Sequence, residues 1–208
     1  IGNIIDFTWD AGGRMWAIET NDYPNDVIPD SIVNASAGPY PGAKDRVIII
    51  EDRNNDGTAD NVKVFAEGLN LPTSLVLANG GVIVGQAPHM LFFKDTNGDE
   101  KADTREIMFT GWPRRDTHGA ISNLRWGFDN QILGSVGYNG FMGTVGQTTI
   151  GRGAMGAGYY RFPSNASSLD YIARTSNNTW GVALTEENIV TGSTANSVPS
   201  NVAIIPGR

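Results

Sequence analysis

Two near-copies of one polar loop, at residues 52–60 and 95–103, constrain the fold of this chain more than any other feature. Each loop alternates Asp or Asn with other residues, and each follows a short apolar run, at residues 47–50 and 90–93. The copies begin 43 residues apart, at Asp52 and Asp95. Because a repeat of about 40–50 residues is typical of β-propeller blades, the pair of loops predicts that architecture.

A hairpin pattern recurs four times: two β-rich runs flank a short turn that contains Gly or Asn. The copies cover residues 4–18, 74–84, 123–133 and 179–191. Aligning Trp9, Leu77, Trp126 and Ala183 gives spacings of 68, 49 and 57 residues, so the repeat is irregular. We predict an all-β chain, a β-propeller with about four hairpin-centred blades.

Two insertions separate these patterns, and no amphipathic helix longer than two turns is predicted. Residues 21–44 are rich in Pro, Asp, Gly and Ser, which is typical of a surface loop. Residues 138–158 hold many glycines and few charges, which favours a mobile or cavity-lining loop. Four blades rarely close a ring, and residues 204–208 follow directly on a strand-like run. We therefore expect one propeller domain, residues 1–208, truncated at its C-terminus; a small or open propeller is the alternative.

Charge and composition exclude several classes of function. The formal charge of −7 and the pI near 4.7 argue against nucleic acid and against anionic membrane surfaces, which bind basic patches. The chain has no cysteine, so disulfides, thiol catalysis and covalent haem attachment are excluded within it. No apolar run of about 18 residues predicts a transmembrane segment. A cysteine-free chain that opens on a strand-like segment fits an exported protein, periplasmic or extracellular.

The two polar loops are predicted calcium sites, because calcium takes six to eight oxygen ligands from carboxylates, amides and carbonyls. Each departs once from the EF-hand pattern, with Lys63 at the twelfth position of the first loop and Glu100 replacing the turn glycine of the second. The alternative is an Asx-rich turn without metal. The predicted ligands are Asp52, Asn54, Asp56, Asp60 and the Thr58 carbonyl in the first loop, and Asp95, Asn97, Asp99, Asp103, Glu106 and the Lys101 carbonyl in the second.

The only two histidines, His89 and His118, lie just outside predicted strands, where propeller loops face the central channel. Charged and aromatic residues crowd His118: Trp112, Arg114, Arg115, Asp116 and Arg125. A neutral imidazole in such surroundings accepts a proton from a substrate hydroxyl, and guanidinium groups bind carboxylates. The alternative is a hydrogen-bonded corner that ties two blades together.

Several motifs occur in the order found in one bacterial family. The chain resembles, over nearly all of its length, the propeller domain of the so-called membrane-bound dehydrogenases of planctomycetes and related bacteria, relatives of soluble quinoprotein glucose and sorbosone dehydrogenases. The matching segments are residues 9–24, 52–60, 68–73, 86–89, 95–103, 116–118, 124–127, 178–181 and 192–196.

This resemblance implies a six-bladed ring, often fused downstream to a helical repeat and a haem c module. It also implies pyrroloquinoline quinone over the channel, with His118 as the base that deprotonates a sugar hydroxyl, assisted by Asp116 and Arg125. Thr117 and Asn123 depart from the pattern, since they stand where relatives carry Asp and Arg. The quinone contacts expected from the resemblance and its surroundings are Gln86, His89, Arg114, Arg115, Thr117, Asn123 and Trp180.

Three functions follow from these observations. The first is a calcium-stabilised quinone-linked dehydrogenase of sugars or other alcohols. The second is a propeller that binds carbohydrate or protein without catalysis, using its Trp residues as a stacking platform. The third is a structural calcium-binding module of a larger envelope or multi-haem assembly, in which other chains complete the propeller.

Overall fold

The structure, a computed structural model, describes residues 1–197 and 199–203. These residues form strands β1 to β17 and one short helix, α1. In the first half of the chain the elements are β1 (Asn3–Trp9), β2 (Met15–Thr20), α1 (Asp30–Val33), β3 (Asp45–Glu51), β4 (Asn61–Leu69), β5 (Ser74–Ala78), β6 (Gly81–Gln86), β7 (His89–Lys94) and β8 (Thr104–Thr110). They continue with β9 (Ile121–Trp126), β10 (Gln131–Val136), β11 (Phe141–Val145), β12 (Thr148–Met155), β13 (Gly158–Pro163), β14 (Asp170–Arg174), β15 (Thr179–Leu184), β16 (Val190–Thr194) and β17 (Asn201–Ala203).

Four sheets act as blades, and each begins with one of the four predicted hairpins. Blade 1 has the order β1-β2-β3-β4, and blade 2 has the order β5-β6-β7-β8. Blade 3 has the order β9-β10-β13-β14, and blade 4 contains β15-β16-β17 among the described residues. The strands whose pairing is resolved run antiparallel, as in the meandering blades of propellers. The prediction of an all-β propeller fold with four blades is therefore confirmed.

The chain divides into two compact units. Unit 1 is Ile1–Gln86 with Met90–Ile107. Unit 2 is Ala87–His89 with the described residues from Met108 onward. The expectation of a single truncated domain stays a prediction, and residues 204–208, on which it partly depends, lie outside the described part of the chain.

The core of unit 1 lies between blades 1 and 2, because their central strands are apolar on both faces. The run from Val47 to Ile49 is fully buried, as are Val82 and Val84 of β6. Strands that are buried on both faces appear in the sequence as continuous apolar runs, and runs of this kind predict buried strands. Asp6 joins the first strands of the two blades, because its Oδ2 accepts hydrogen bonds from Ser74 and from the backbone of Leu75.

Unit 2 is built around aromatic side chains. The rings of Trp112, Phe141 and Tyr160 pack together, with centroids 4.6 and 4.7 Å from Trp112, and all three are buried. Phe109 and Phe162 extend the cluster, 5.4 Å apart in edge-to-face geometry. This geometry is the favourable one for aromatic pairs.

The glycine-rich segment 138–158 is not the loop that its composition predicted. Most of it forms the antiparallel hairpin of β11 and β12. Its glycines serve close packing: a Cβ at Gly143 would lie 2.4 Å from the Thr110 carbonyl oxygen, and one at Gly146 would lie 1.8 Å from that of Ser167. The high glycine content of this segment therefore reflects close contacts with neighbouring backbone atoms, and not conformational freedom of the segment.

The segment between β2 and β3 is largely the predicted surface loop, with α1 inside it. Asp45 anchors both ends of the insertion: its Oδ1 accepts hydrogen bonds from the backbone of Asn21 and Asp22, at 2.6 and 2.9 Å. Among the described residues, no helix has the length and apolar character needed to cross a bilayer.

Candidate functional site

Asp116 and His118 form a pair in the connection from β8 to β9, at a 3-10 turn over Thr117–Gly119. The Asp116 Oδ1 caps this turn by accepting the backbone N–H of His118 at 2.9 Å. The same oxygen lies 2.9 Å from His118 Nδ1. An Asp two residues before a His makes both contacts within one turn, so the local sequence alone orients the imidazole.

A second segment, after β10, holds the pair from the other side. Because β9 and β10 are antiparallel, the residues before β9 and after β10 meet at the same end of blade 3. There Tyr138 donates its hydroxyl to the Asp116 carboxylate. Asn139 donates Nδ2 to the Asp116 carbonyl at 2.7 Å. The Tyr138 ring also requires glycine at position 119, where a Cβ would lie 2.6 Å from the ring.

These contacts keep Asp116 ionised. Hydrogen bonds from the Tyr138 hydroxyl, and then from the backbone and ring of His118, lower the pKa of Asp116 to about 2. An ionised carboxylate can only accept, so His118 carries its proton on Nδ1, and the neutral ring has its lone pair on Nε2. The His118 side chain is 53% exposed and that of Asp116 is 49% exposed, so a small molecule can approach the pair.

The other polar residues predicted around His118 are only partly gathered there. Arg114, Arg115 and Thr117 share its loop, with Arg115 exposed and the other two half-buried. Arg125 lies further along β9, opposite Leu133, and is exposed. Its side chain makes no hydrogen bond or ion pair with another described residue, and its predicted catalytic role stays a prediction.

Asn123 and Trp180 are in contact, and the contact is made by the backbone of Trp180. Asn123 donates Nδ2 to the Trp180 carbonyl at 2.8 Å, joining the first strands of blades 3 and 4. Asn123 has φ of 59° and sits at a register shift of β9. Asp6 makes the corresponding link between blades 1 and 2 from a bulge in β1, so this position has a structural role in both units. The Trp180 side chain is 37% exposed.

Gln86 and His89 lie inside the protein. Gln86 is fully buried in unit 1, where its Oε1 accepts the backbone N–H of Asn70 at 2.8 Å. His89 is 1% exposed in unit 2, with Nδ1 2.8 Å from the Thr110 hydroxyl oxygen. His89 is the first residue of β7 and does not lie in a channel-facing loop as expected, and the quinone contacts assigned to both residues stay predictions.

The two polar loops share three hydrogen bonds between side chains and their own backbone. The backbone N–H of the second residue, Arg53 or Thr96, donates to the ninth-position Asp at 2.6 Å in both. The first Asp accepts the backbone N–H of the sixth residue, Gly57 or Glu100, at 2.8 Å in both. The third-position Asn accepts the backbone N–H of the fifth residue at 2.9 Å in both. The internal repeat read from the sequence is therefore a repeat of structure.

These bonds hold the predicted calcium ligands to their own backbone. In the described part of the chain, no three side chains from His, Asp and Glu converge closely enough to hold a metal ion. Glu106, the expected twelfth ligand, is exposed on β8. The carboxylates as placed resemble the Asx-rich turns considered as the alternative, and calcium binding stays a prediction. The remaining predicted ligands lie in the same two loops: Asp56, Thr58, Asp60, Asp99, Lys101 and Asp103.

The two departures from the EF-hand pattern pair with one another. Lys63 Nζ forms an ion pair with Glu100 Oε2, linking β4 of blade 1 to the second loop in blade 2. The Oε1 of Glu100 pairs with Arg14, which also binds Asp10 at 2.8 Å. Glu100 adopts φ of 65°, where the first loop has glycine. Aligning the loops reveals both unusual residues, but only the packing of the blades shows that they meet.

Two solved structures share the fold. A luciferin-regenerating enzyme matches 93% of this chain at 11% identity and a TM-score of 0.60, and the match covers 54% of that enzyme. A putative gluconolactonase matches 96% of this chain at 14% identity and a TM-score of 0.58, and the match covers 59% of that protein. The chain thus spans little more than half the length of either structure. At these identities the likeness is one of fold.

No curated protein shows a significant sequence match to the chain. A family profile, in contrast, matches residues 1–207, which is nearly every residue from blade 1 to the end of the chain. The chain therefore belongs to the family described as domain of unknown function DUF7133.

Proposed function

We propose that this chain is the propeller domain of a quinone-linked dehydrogenase that oxidises a sugar or another alcohol. The observation that carries the proposal is the Asp116–His118 pair, in which an ionised carboxylate lies 2.9 Å from Nδ1 of a half-exposed imidazole. The resemblance of the sequence motifs to quinoprotein dehydrogenases supports it. The putative gluconolactonase among the structures of similar fold favours a sugar-related substrate.

In this proposal His118 accepts the proton of the substrate hydroxyl at Nε2. Asp116 fixes the ring orientation and stabilises the imidazolium that forms, which is the role of a carboxylate behind a histidine base. Pyrroloquinoline quinone, when bound, supplies the acceptor for the hydride. Arg114 and Arg115, in the same loop as the base, would hold the carboxylates of the quinone. Gln86 and His89, which are buried, stay predicted contacts of the quinone.

The same proposal includes the cellular location of the domain and its electron acceptor. A quinoprotein of this kind works in the periplasm or outside the cell. A haem c module, downstream in the same protein or on a partner chain, would supply the acceptor for the electrons. In this proposal calcium has a structural role in the two polar loops and takes no part in these steps.

The test is a dye-linked oxidation assay with the chain, added quinone and calcium, and a panel of sugars and simple alcohols. We expect turnover that falls by about 10²–10⁴-fold in His118→Gln, since that is the usual contribution of a general base. Asp116→Asn should lower it as well, because an amide does not hold the same tautomer. Arg152→Gln, exposed on β12, serves as the control. Absence of turnover and of quinone binding in the wild type would overturn the proposal.

A second candidate function is carbohydrate binding without catalysis. Four aromatic side chains of unit 2 are well exposed among the described residues: Trp126 at 43%, Phe128 at 71%, Tyr138 at 41% and Trp180 at 37%. Exposed aromatic rings stack on the apolar faces of sugars. Binding to a glycan array that is unchanged in His118→Gln and lost in Trp180→Ala, without turnover, would favour this function over the dehydrogenase.

A further inference from the structure

Unit 1 contains a cavity of about 460 Å³, separate from the residues of the proposed active site. It lies where the β1–β2 turn, the β5–β6 turn and the second polar loop meet. Its volume is within the range of about 300–1,000 Å³ that is usual for small-molecule sites. Nothing in the proposed dehydrogenase function uses it.

The inner walls of this cavity are apolar. Trp16 and Phe65 contact each other edge to face, with centroids 4.7 Å apart, and Ile49 and Leu77 line the cavity beside them. Trp16, Ile49 and Phe65 are buried, so these walls belong to the core between blades 1 and 2 and do not move freely. They fit a compact apolar group such as a ring.

The rim of the cavity carries more negative than positive charge. Its lining holds the carboxylates of Asp10, Asp95 and Glu100 and the guanidinium of Arg14, and Lys63 pairs with Glu100 from outside the lining, which leaves a formal charge of −1. Arg14 is already bound to Asp10 and Glu100. Asp95 accepts hydrogen bonds only from backbone N–H groups, those of Asn97, Gly98 and Glu100, and has no cationic partner among the described residues. A cation on the ligand would supply that partner.

The rim is also held in place before any ligand binds. Asp10 accepts hydrogen bonds from the indole N–H of Trp16 at 3.1 Å and from the backbone of Gly12 and Arg14 at 2.9 Å. A site with fixed polar groups loses little conformational freedom on binding.

We propose that this cavity binds a small organic cation, an ammonium group carried on a compact apolar ring. The ring lies against Trp16, Phe65 and Leu77, and the ammonium group lies near the carboxylate of Asp95. The site is independent of His118, since every residue that forms it belongs to unit 1.

Three probes of the same size and different charge test the proposal: benzylamine, benzyl alcohol and benzoate. Binding is followed by NMR line shapes and by calorimetry at pH 7 and low salt. We expect benzylamine to bind about two- to fivefold more tightly than benzyl alcohol, because one partly exposed charge pair is worth about that much. Benzoate should show no saturable binding.

Two matched variants locate the site. Asp95→Asn should remove the preference for the cation, whereas Asp52→Asn, at the equivalent position of the first loop but outside the cavity, should leave it intact. Leu77→Trp should abolish binding of all three probes by filling the cavity, with circular dichroism to check the fold. The proposal would be overturned by equal binding of the three probes, by an equal loss in Asp52→Asn, or by displacement of benzylamine with 1 mM calcium, which would assign the carboxylates to a metal.

Discussion

Asp116 receives hydrogen bonds from a near neighbour, His118, and from a distant residue, Tyr138. The first contact follows from the spacing of the two residues, and the sequence was enough to predict it. The second depends on the antiparallel pairing of β9 with β10, where Ile121 lies opposite Val136. Once that register is known, the loop after β10 must lie beside Asp116. Tyr138 was missed because the sequence placed it at the start of a loop of unknown course.

Replacing Tyr138 by Phe should raise the pKa of Asp116 from about 2 toward the ordinary value of 3.8, because the hydroxyl is the largest cause of the depression. Carbonyl and carboxyl ¹³C chemical shifts of Asp116, followed from pH 1.5 to 6, measure this directly. Tyr171→Phe is the control, since its hydroxyl donates to the Ala157 carbonyl and not to Asp116. An unchanged titration of Asp116 in Tyr138→Phe would show that the hydroxyl has no such effect.

At the scale of elements, the hairpins that open the blades and the surface loop at residues 21–44 were predictable, and the β11–β12 hairpin was not. All four hairpins that open the blades combine β-rich runs with a short turn. A sequence pattern of this kind predicts a hairpin without knowledge of the contacts made elsewhere in the fold. The β11–β12 hairpin was missed because glycine-rich strands carry little β propensity. Its pairing is stabilised by packing against Gly111 and Trp112, which lie outside the hairpin and are not visible in its own sequence.

The Lys63–Glu100 ion pair joins two blades, and we expect it to contribute about 0.5–1 kcal/mol to the free energy of unfolding. That is the usual range for a partly exposed pair, and these side chains are 38% and 28% exposed. A double-mutant cycle of Lys63→Ala and Glu100→Ala, measured by urea unfolding, isolates this coupling from the second contact of Glu100 with Arg14. Alanine is preferred to glycine at position 100, because glycine would relieve the strain of φ at 65°.

The matched control for that cycle is the Arg53–Glu51 pair, which lies within blade 1 and has an Arg53 side chain that is 65% exposed. We expect its coupling free energy to be smaller, since solvent screens it more strongly. A Lys63–Glu100 coupling no larger than the control would mean that the pair does not stabilise the contact between the blades.

For the whole molecule, the acidic composition has a consequence for stability that depends on pH. Its 22 carboxylate residues outnumber 15 cations, yet several are held ionised by hydrogen bonds in the folded state. The pKa of Glu19 is lowered chiefly by its bond to Arg46, and the pKa of Glu51 falls to about 2 chiefly through Asn61 and then Arg53. The sequence did not predict these two carboxylates, because their main partners, Arg46 and Asn61, come from neighbouring strands.

A depressed pKa makes the folded state bind protons less readily than the unfolded chain, so these groups stabilise the fold above the unfolded value and lose that contribution as pH falls. For Glu the unfolded value is 4.5, and the folded value of Glu51 is about 2, so the free energy of unfolding should fall between about pH 4.5 and 2. Urea unfolding followed by Trp fluorescence at pH 7, 4.5, 3 and 2 measures it.

Glu19→Gln should destabilise the protein by about 1–3 kcal/mol at pH 7, because the side chain is only 2% exposed and loses a charged hydrogen bond. It should also make the acid-induced loss smaller than in the wild type. Glu106→Gln, exposed on β8 and without a hydrogen bond or ion pair to another described residue, should leave both quantities unchanged. The same acid-induced loss in Glu19→Gln as in the wild type would show that the buried pair with Arg46 does not contribute to acid sensitivity.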